Sequence, residues 1–255
     1  MIIYKYVSRL DIIENASIRF SQAGALNDPF ETTPCYSEFR EHMLQTLAEK
    51  NGGSIPLDMV PNLMPTIDGV LSSVSETLGN YFVILSLTKT NNNGLMWAHY
   101  ANSHKGYVIG FDSENSFFQP GNGKANDGLR DVKYSTNRAV VPRTGLNSLS
   151  PEELALFNEQ FFFTKSSDWS YEEEVRILAH PAAASDCSKE FAGYKVCLFN
   201  FPKDCIKEII LGCKMPLDER KKFVETVKKD YPHAKIFQAK LNDKKFDLDV
   251  IAYIG

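Results

Sequence analysis

The back half of the chain limits its fold more than any other feature. From residue 173 on, strand-like runs follow one another: "EEVRILA" (173–179), "YKVCLFNF" (194–201), "CIKEIILG" (205–212), "AKIFQAKL" (234–241) and "FDLDVIAYIG" (246–255). Each is short and apolar, and most carry several β-branched or aromatic residues. Only one helical stretch interrupts them, "PLDERKKFVETVKKDY" (216–231), with Leu217, Phe223, Val224 and Val227 expected inward. A doubly wound parallel sheet needs a helical crossover between successive strands, and this half has too few helices for that. Helical patterns cluster earlier. "SEFREHMLQTLAEK" (37–50) is one, and Ile67, Val70, Leu71, Val74 and Leu78 recur at helical spacing after a proline-punctuated stretch at 56–65. The order predicts an α+β fold built on a mixed, mostly antiparallel sheet. One domain over 1–255, with a helical insert near 37–80, accounts for it.

Further elements fill the front half. "MIIYKYV" alternates as a first strand, with Ser8 as the expected N-cap of a short helix "RLDIIEN", and "SIRFS" (17–21) is extended again. "YFVILSLT" (81–88) reads as a buried strand, "GLMWAHYAN" (94–102) as a short helix and "KGYVIGFD" (105–112) as a strand. Segment 113–130 reads as a loop and "DVKYS" as a strand. Ser150, Pro151 and Glu153 form a capping-box signature for a helix over 150–163.

Bulk properties narrow the function classes. A net charge of −4 gives no overall field toward nucleic acid or anionic membrane, although Lys124, Arg130, Lys133, Arg138 and Arg143 would supply a local basic groove. Five cysteines without C-x-x-C spacing fit reduced thiols better than a disulfide framework. The start, "MIIYKYVSRL", has too short an apolar run for a signal peptide, and no run approaches the roughly 18–20 apolar residues of a membrane span. These traits describe a cytoplasmic protein without a membrane partner. No H-E-x-x-H, G-x-G-x-x-G, P-loop or G-x-S-x-G signature occurs. His99 and His104 stand five apart, not at the i, i+4 spacing of a helical zinc pair, so no metal is expected.

Three stretches carry candidate chemistry. In "DWSYEEEVRIL" (168–178), strand alternation would put Glu172, Glu174 and Arg176 on one face, with the acids about 7 Å apart. Two acids that close can shift one another's pKa and divide the handling of a hydroxyl. A plainer reading is an exposed face on which Arg176 neutralises Glu174. In "LMWAHYANSHKGYVIGFD" (95–112), Met96, Trp97 and Tyr100 cluster on one helix side with His99 at its border, an aromatic shelf able to stack a flat ring. Gly106 would permit close approach, to a ligand or within a loop. "NDPFE" (27–31) is a turn signature: Asp28 caps its own bend and Glu31 pairs with a surface lysine, or the turn walls a site with Phe30 as buried anchor.

Together "YKYVSRLDIIENASIRFSQAGALNDPFE", "LMWAHYANSHKGYVIGFD", "WSYEEEVRIL" and "IKEIILG" resemble the bacterial family called domain of unknown function 2971, from about residue 3 to the C-terminus. A second resemblance is to the ADP-ribosyltransferase superfamily. Its members open with a strand carrying His or Arg, supply an aromatic or hydroxyl residue mid-chain, and end a late Gln/Glu-x-Glu on the catalytic acid. Here Lys5 takes the first place between Tyr4 and Tyr6, a departure from His or Arg. Tyr100 or Trp97 stands for the middle motif, which matches imperfectly, and Glu172-Glu173-Glu174 stands for the last.

That resemblance implies a split sheet and NAD as substrate rather than resident cofactor. Glu174 would hydrogen-bond the ribose 2′-hydroxyl and Glu172 would orient or deprotonate an acceptor. Tyr100 or Trp97 would stack on nicotinamide with His99 beside them. Lys5 and Asn27 would reach ribose or phosphate, with Asp28 or Glu31 fixing Lys5, and Tyr4, Tyr6 and Arg176 would complete the cofactor contacts. An NAD-dependent transferase or glycohydrolase of the toxin or defence-effector kind follows, its acceptor a protein or nucleic acid. The alternatives are a non-catalytic nucleotide- or protein-binding module and a metal-dependent hydrolase or nuclease.

Overall fold

The computed structural model describes residues 1–55, 59–121 and 128–255. In chain order the elements are β1 (Ile2–Val7), α1 (Asp11–Asn15), β2 (Ser17–Gln22), α2 (Ser37–Lys50), α3 (Val60–Tyr81), β3 (Val83–Thr88), α4 (Gly94–Tyr100), β4 (Tyr107–Asp112), β5 (Arg130–Asp131) and β6 (Lys133–Ser135). They continue with α5 (Pro151–Phe163), β7 (Thr164–Ser166), β8 (Glu174–Ala179), β9 (Asp186–Phe191), β10 (Tyr194–Asn200), β11 (Ile206–Leu211), α6 (Leu217–Asp230), β12 (Lys235–Leu241) and β13 (Leu248–Ala252). Helices with a large, mostly antiparallel sheet make this an α+β fold, as the strand order anticipates.

Two compact units form. The first is Met1–Ser21, Val83–Asp131 and Ser170–Gly255; the second is Gln22–Phe82 and Val132–Trp169. The first is organised by an eleven-stranded sheet in the order β13-β12-β11-β4-β1-β3-β2-β10-β9, with β8 beside β3 and β5 on β8. β11 and β12, joined through α6, run parallel; the other described registers of this sheet are antiparallel. β1 pairs with β4 along its length but meets β3 at one register pair, Tyr4 opposite Thr88. The sheet is therefore nearly parted there.

Alternation sorts the side chains of this sheet. Ile3, Val7, Leu85, Ile109, Ile177 and Ile209 join the main core, which Phe223, Val224 and Val227 of α6 help to close. Opposite, Tyr6, Val108 and Ile210 form a smaller cluster with Met96 and Trp97 of α4. The second unit holds α2, α3, α5 and the two-stranded parallel pair β6–β7. Ser150 and Glu153 make the expected capping box on α5, whose Phe157, Phe161, Phe162 and Phe163 are buried.

Several expectations need correction. Leu217 is 67% exposed: it shares the stripe of Val224, seven residues on, but as the first residue of α6 it lies at the helix end, where the stripe is no longer covered. Leu10, not Ser8, precedes α1, and no side chain caps that helix. Cys187 and Cys197 form a disulfide, leaving Cys35, Cys205 and Cys213 as free thiols. Their spacing gives no hint of it; hairpin pairing of β9 with β10 brings their Cα atoms to 4.2 Å. β9 itself, "DCSKEF", is mostly exposed and shows no apolar alternation to announce it. Gly106 serves backbone packing: a Cβ there would lie 2.1 Å from the Val7 carbonyl oxygen. Of the α3 stripe, Ile67 and Leu71 are buried, while the side chains of Val70, Val74 and Leu78 are not among those described, and Lys124 lies outside the described residues.

Candidate functional site

In the first unit, the register across three strands sets Tyr4 opposite Thr88 and Thr88 opposite Glu174. Residues opposite one another in a ladder share a face. Tyr4 and Glu174 thus stand on one side of the sheet, two strand spacings of roughly 4.8 Å apart. Ser86 and Arg176, likewise paired, belong to the same face.

Glu174 and Arg176 meet in a two-pronged ion pair. Arg176 Nε donates to Oε1 at 2.7 Å and Nη2 to Oε2 at 3.0 Å. Both side chains are almost fully buried, with exposures of 4% and 1%. The anticipated exposed, solvent-screened pair is therefore an interior one. Desolvating both charges is costly, and the fork geometry of guanidinium on carboxylate is what makes such a pair tolerable.

Glu172 does not share the strand with Glu174. It ends a 3-10 turn over Ser167–Glu172, and Glu173 follows in the left-handed region at φ 43°. That twist breaks the alternation expected across 172–176, so the acids do not stand in a strand row. Glu172 is nonetheless buried, and Tyr100 donates its hydroxyl to Oε1 at 2.6 Å. Thr88 Oγ1 donates to the Glu172 carbonyl at 2.5 Å, fixing the turn to the end of β3.

The α4 side chains reach this place through a capped helix start. Asn93 Oδ1 accepts from the Leu95 and Met96 amides, while Asn93 Nδ2 donates to the Tyr171 carbonyl at 3.2 Å. Trp97 is fully buried, donates Nε1 to the Asn91 carbonyl at 3.0 Å and packs edge-on to Tyr6 at 5.3 Å. A ligand ring cannot stack on Trp97 in this arrangement, since core neighbours occupy its faces. Tyr100 remains half-buried and His99 is exposed beside it, with ring centroids 6.2 Å apart.

β1 divides its candidates between two faces. Tyr4 and Tyr6 pair with Gly110 and Val108, whereas Lys5 pairs with Ile109, a residue of the main core. The Lys5 ammonium donates to the Ser86 carbonyl at 2.7 Å, where β1 and β3 part. Tyr4 lies over Gly110: a Cβ there would meet the Glu208 Cγ at 2.5 Å and the Tyr4 ring at 3.2 Å. Burial, reinforced by the Glu208 carboxylate, pushes the Tyr4 phenol up to about 12. Burial also pushes Tyr6 up.

Asn27 and Asp28 belong to the second unit. Asp28 caps its own turn, accepting the Phe30 amide on Oδ1 at 2.9 Å. Phe30 is 62% exposed and so is no buried anchor; the tight turn leaves its ring outside. Glu31 pairs with Lys165 at 3.2 Å, and that lysine is as buried as the acid. Of the anticipated basic groove, Lys133 pairs with Glu159 at 2.6 Å and Arg143 bonds Gln45, leaving Arg138 exposed.

Sequence reasoning missed Asn93, Thr88, Glu208 and Lys165. Asn93 had a local signal, an Asn directly before a helical run. The others depend on cross-strand register or on long-range packing. Among the described residues, no group of three or more His, Cys, Asp or Glu side chains is placed to hold a metal ion, and no helix is long and apolar enough to cross a membrane.

These features define an α+β protein with buried acids at the head of a sheet strand. Residues 96–177 match the family described as "Protein of unknown function (DUF2971)". The matched stretch runs from Met96 through Ile177 and so includes Trp97, His99, Tyr100, Glu172, Glu174 and Arg176. No curated protein and no solved structure matches the chain.

Proposed function

We propose that the first unit is an NAD-consuming enzyme, an ADP-ribosyltransferase-like or NAD glycohydrolase-like protein acting in the cytoplasm as a toxin or defence effector. One observation carries the reading: two buried acids flank a left-handed residue at the head of β8, and Tyr100, the last residue of α4, supplies its hydroxyl to one of them. A carboxylate has about four lone-pair sites, so the two hydrogen bonds of the Arg176 fork do not by themselves exclude a ribose 2′-hydroxyl from Glu174. Glu172, oriented by Tyr100, would take the proton of the attacking hydroxyl. In that step the C1′–nitrogen bond breaks with its electron pair passing to the nicotinamide ring, neutralising it. The acceptor oxygen, from water or a macromolecule, then bonds C1′. Carboxylates fixed near C1′ stabilise the oxocarbenium-like charge that develops there.

The Arg176–Glu174 fork also favours a second reading, a nucleotide- or protein-binding module without turnover, since a guanidinium on both oxygens balances the charge that catalysis would use. Incubating the full chain with NAD and measuring nicotinamide by mass separates the two. The enzyme releases nicotinamide; Glu172→Gln abolishes release while the fold persists, and Glu174→Gln, which leaves the Arg176 charge buried without its partner and so melts lower, abolishes release when assayed below its own melting temperature. A binding module saturates with NAD and forms no product. Glu174→Gln turning over NAD as fast as the parent would overturn the enzymatic assignment.

A further inference from the structure

The second unit contains a cavity of about 250 Å³ that the proposal for the first unit does not use. It is walled by the turn after Asp28, by residues 135–139, and by the end of α5 with β7. Its chemistry is polarised. Inside lie Asp28, which is 4% exposed, and the buried Glu31–Lys165 pair. Lys165 also sits 4.9 Å from the centroid of the Trp169 ring, a cation–π contact that holds its ammonium in place. The buried ring of Phe161 supplies an apolar wall.

Two charged groups of this cavity lack what their chemistry calls for. Asp28 Oδ1 accepts the Phe30 amide, but Oδ2 is buried with no hydrogen-bond partner. Nearly every buried polar atom in a folded protein is satisfied, so an unmatched carboxylate oxygen beside a cavity points to a donor supplied from outside. Arg138 lines the same cavity, is exposed, and makes no side-chain hydrogen bond or ion pair among the described residues. Among the described residues, the cavity therefore has an unmatched acceptor in its wall and an exposed guanidinium without a hydrogen bond or ion pair at its lining, with an aromatic wall along it.

We propose that this cavity binds a small zwitterion of the α-amino-acid class, its ammonium on Asp28, its carboxylate on Arg138 and its side chain along Phe161. An ammonium brings the N–H donors that Asp28 Oδ2 requires, and a carboxylate matches the guanidinium fork. Glu31 and Lys165 neutralise each other and so leave the polarity of the site to Asp28 and Arg138. The assignment stands whether or not the first unit consumes NAD.

The test uses the full chain and each of the twenty L-amino acids in turn, by calorimetry at millimolar ligand. At least one binds, and Asp28→Asn and Arg138→Ala each weaken it by about tenfold or more, the scale of one charge-assisted contact. The N-acetyl derivative of the bound amino acid is weakened to the same degree in the parent and is then insensitive to Asp28→Asn. Its methyl ester is likewise insensitive to Arg138→Ala. Arg138 is exposed, so its variant remains informative even where Asp28→Asn lowers stability. The proposal is overturned when no amino acid binds, when binding survives both substitutions unchanged, or when nucleoside monophosphates compete for the cavity and amino acids do not.

Discussion

Glu174 and Asp28 are both buried carboxylates, and the two units treat them differently. Glu174 has a guanidinium on both oxygens, and its neighbour Glu172 holds a tyrosine hydroxyl. Asp28 has one oxygen satisfied by its own turn and the other left unmatched next to a cavity. The first arrangement is preorganised from within by strand register and a helix cap. The second is complete only when something enters. A buried acid can thus be part of a rigid constellation or one half of a contact, and the partners around it, not its burial, distinguish the cases.

The largest way to break this contrast is Arg176→Met. Removing one partner of a buried pair strands the other charge, and the expected loss is about 3–5 kcal/mol of stability, read by denaturant or thermal unfolding. Adding Glu174→Gln recovers much of it. A parent-like melting curve for Arg176→Met would show that the pair is hydrated and that Glu174 is not sealed. Tyr100→Phe comes next: loss of a hydrogen bond to a charged group is expected to cost about 1.5–3 kcal/mol. In the NAD assay the same variant slows nicotinamide release without abolishing it, because the acids remain.

Asp28→Asn sharpens the other side. It keeps the acceptor for the Phe30 amide and removes an unmatched charged oxygen, so stability measured without ligand changes by no more than about 1 kcal/mol. A loss as large as that of Arg176→Met would mean that Asp28 is internally paired.

The smallest effect concerns thiol reactivity, which also differs between the units. Hydrogen bonds from Ser37 hold the Cys35 thiol below the ordinary value, with Arg138 assisting, while burial pushes Cys205 up to about 12. The thiolate is the reactive form. Iodoacetamide labelling followed by mass mapping should modify Cys35 at a pH below that of a free thiol and spare Cys205 up to strongly alkaline pH. Equal labelling of both in the folded chain would contradict this ordering. For Cys35 the depressed value also means that its contribution to stability is present above the unfolded pKa and lost as pH falls through the folded one.

Much of the fold was legible from sequence. The runs that became β3, β4, β8, β10, β11, β12 and β13 alternate or cluster apolar residues strongly enough to be seen, and the ends of α2 and the cap of α5 fall where local signals place them. β9 was not visible, since an exposed edge strand need not show apolar alternation. The site was legible only as a parts list. "EEEVRIL" shows two acids and an arginine, but reading them as one strand face fails at Glu173, whose left-handed backbone no residue pattern announces. Trp97 looked like a shelf and proved to be core, because helix periodicity shows which side chains cluster but not what covers them.

What the sequence alone determined is local: which segments take extended or helical form, where helices start, and that strands in series must pair largely antiparallel. These follow from dihedral preference, capping and the period of apolar residues. The tertiary structure decided everything that depends on register and enclosure. It set Tyr4 and Lys5 on opposite faces, aligned Tyr4 with Thr88 and Glu174, joined Cys187 to Cys197, and left Asp28 with a half-satisfied carboxylate beside a cavity. The reason is physical. A side chain's type fixes what it can bond, whereas its partner and its access to water are fixed by residues far away along the chain.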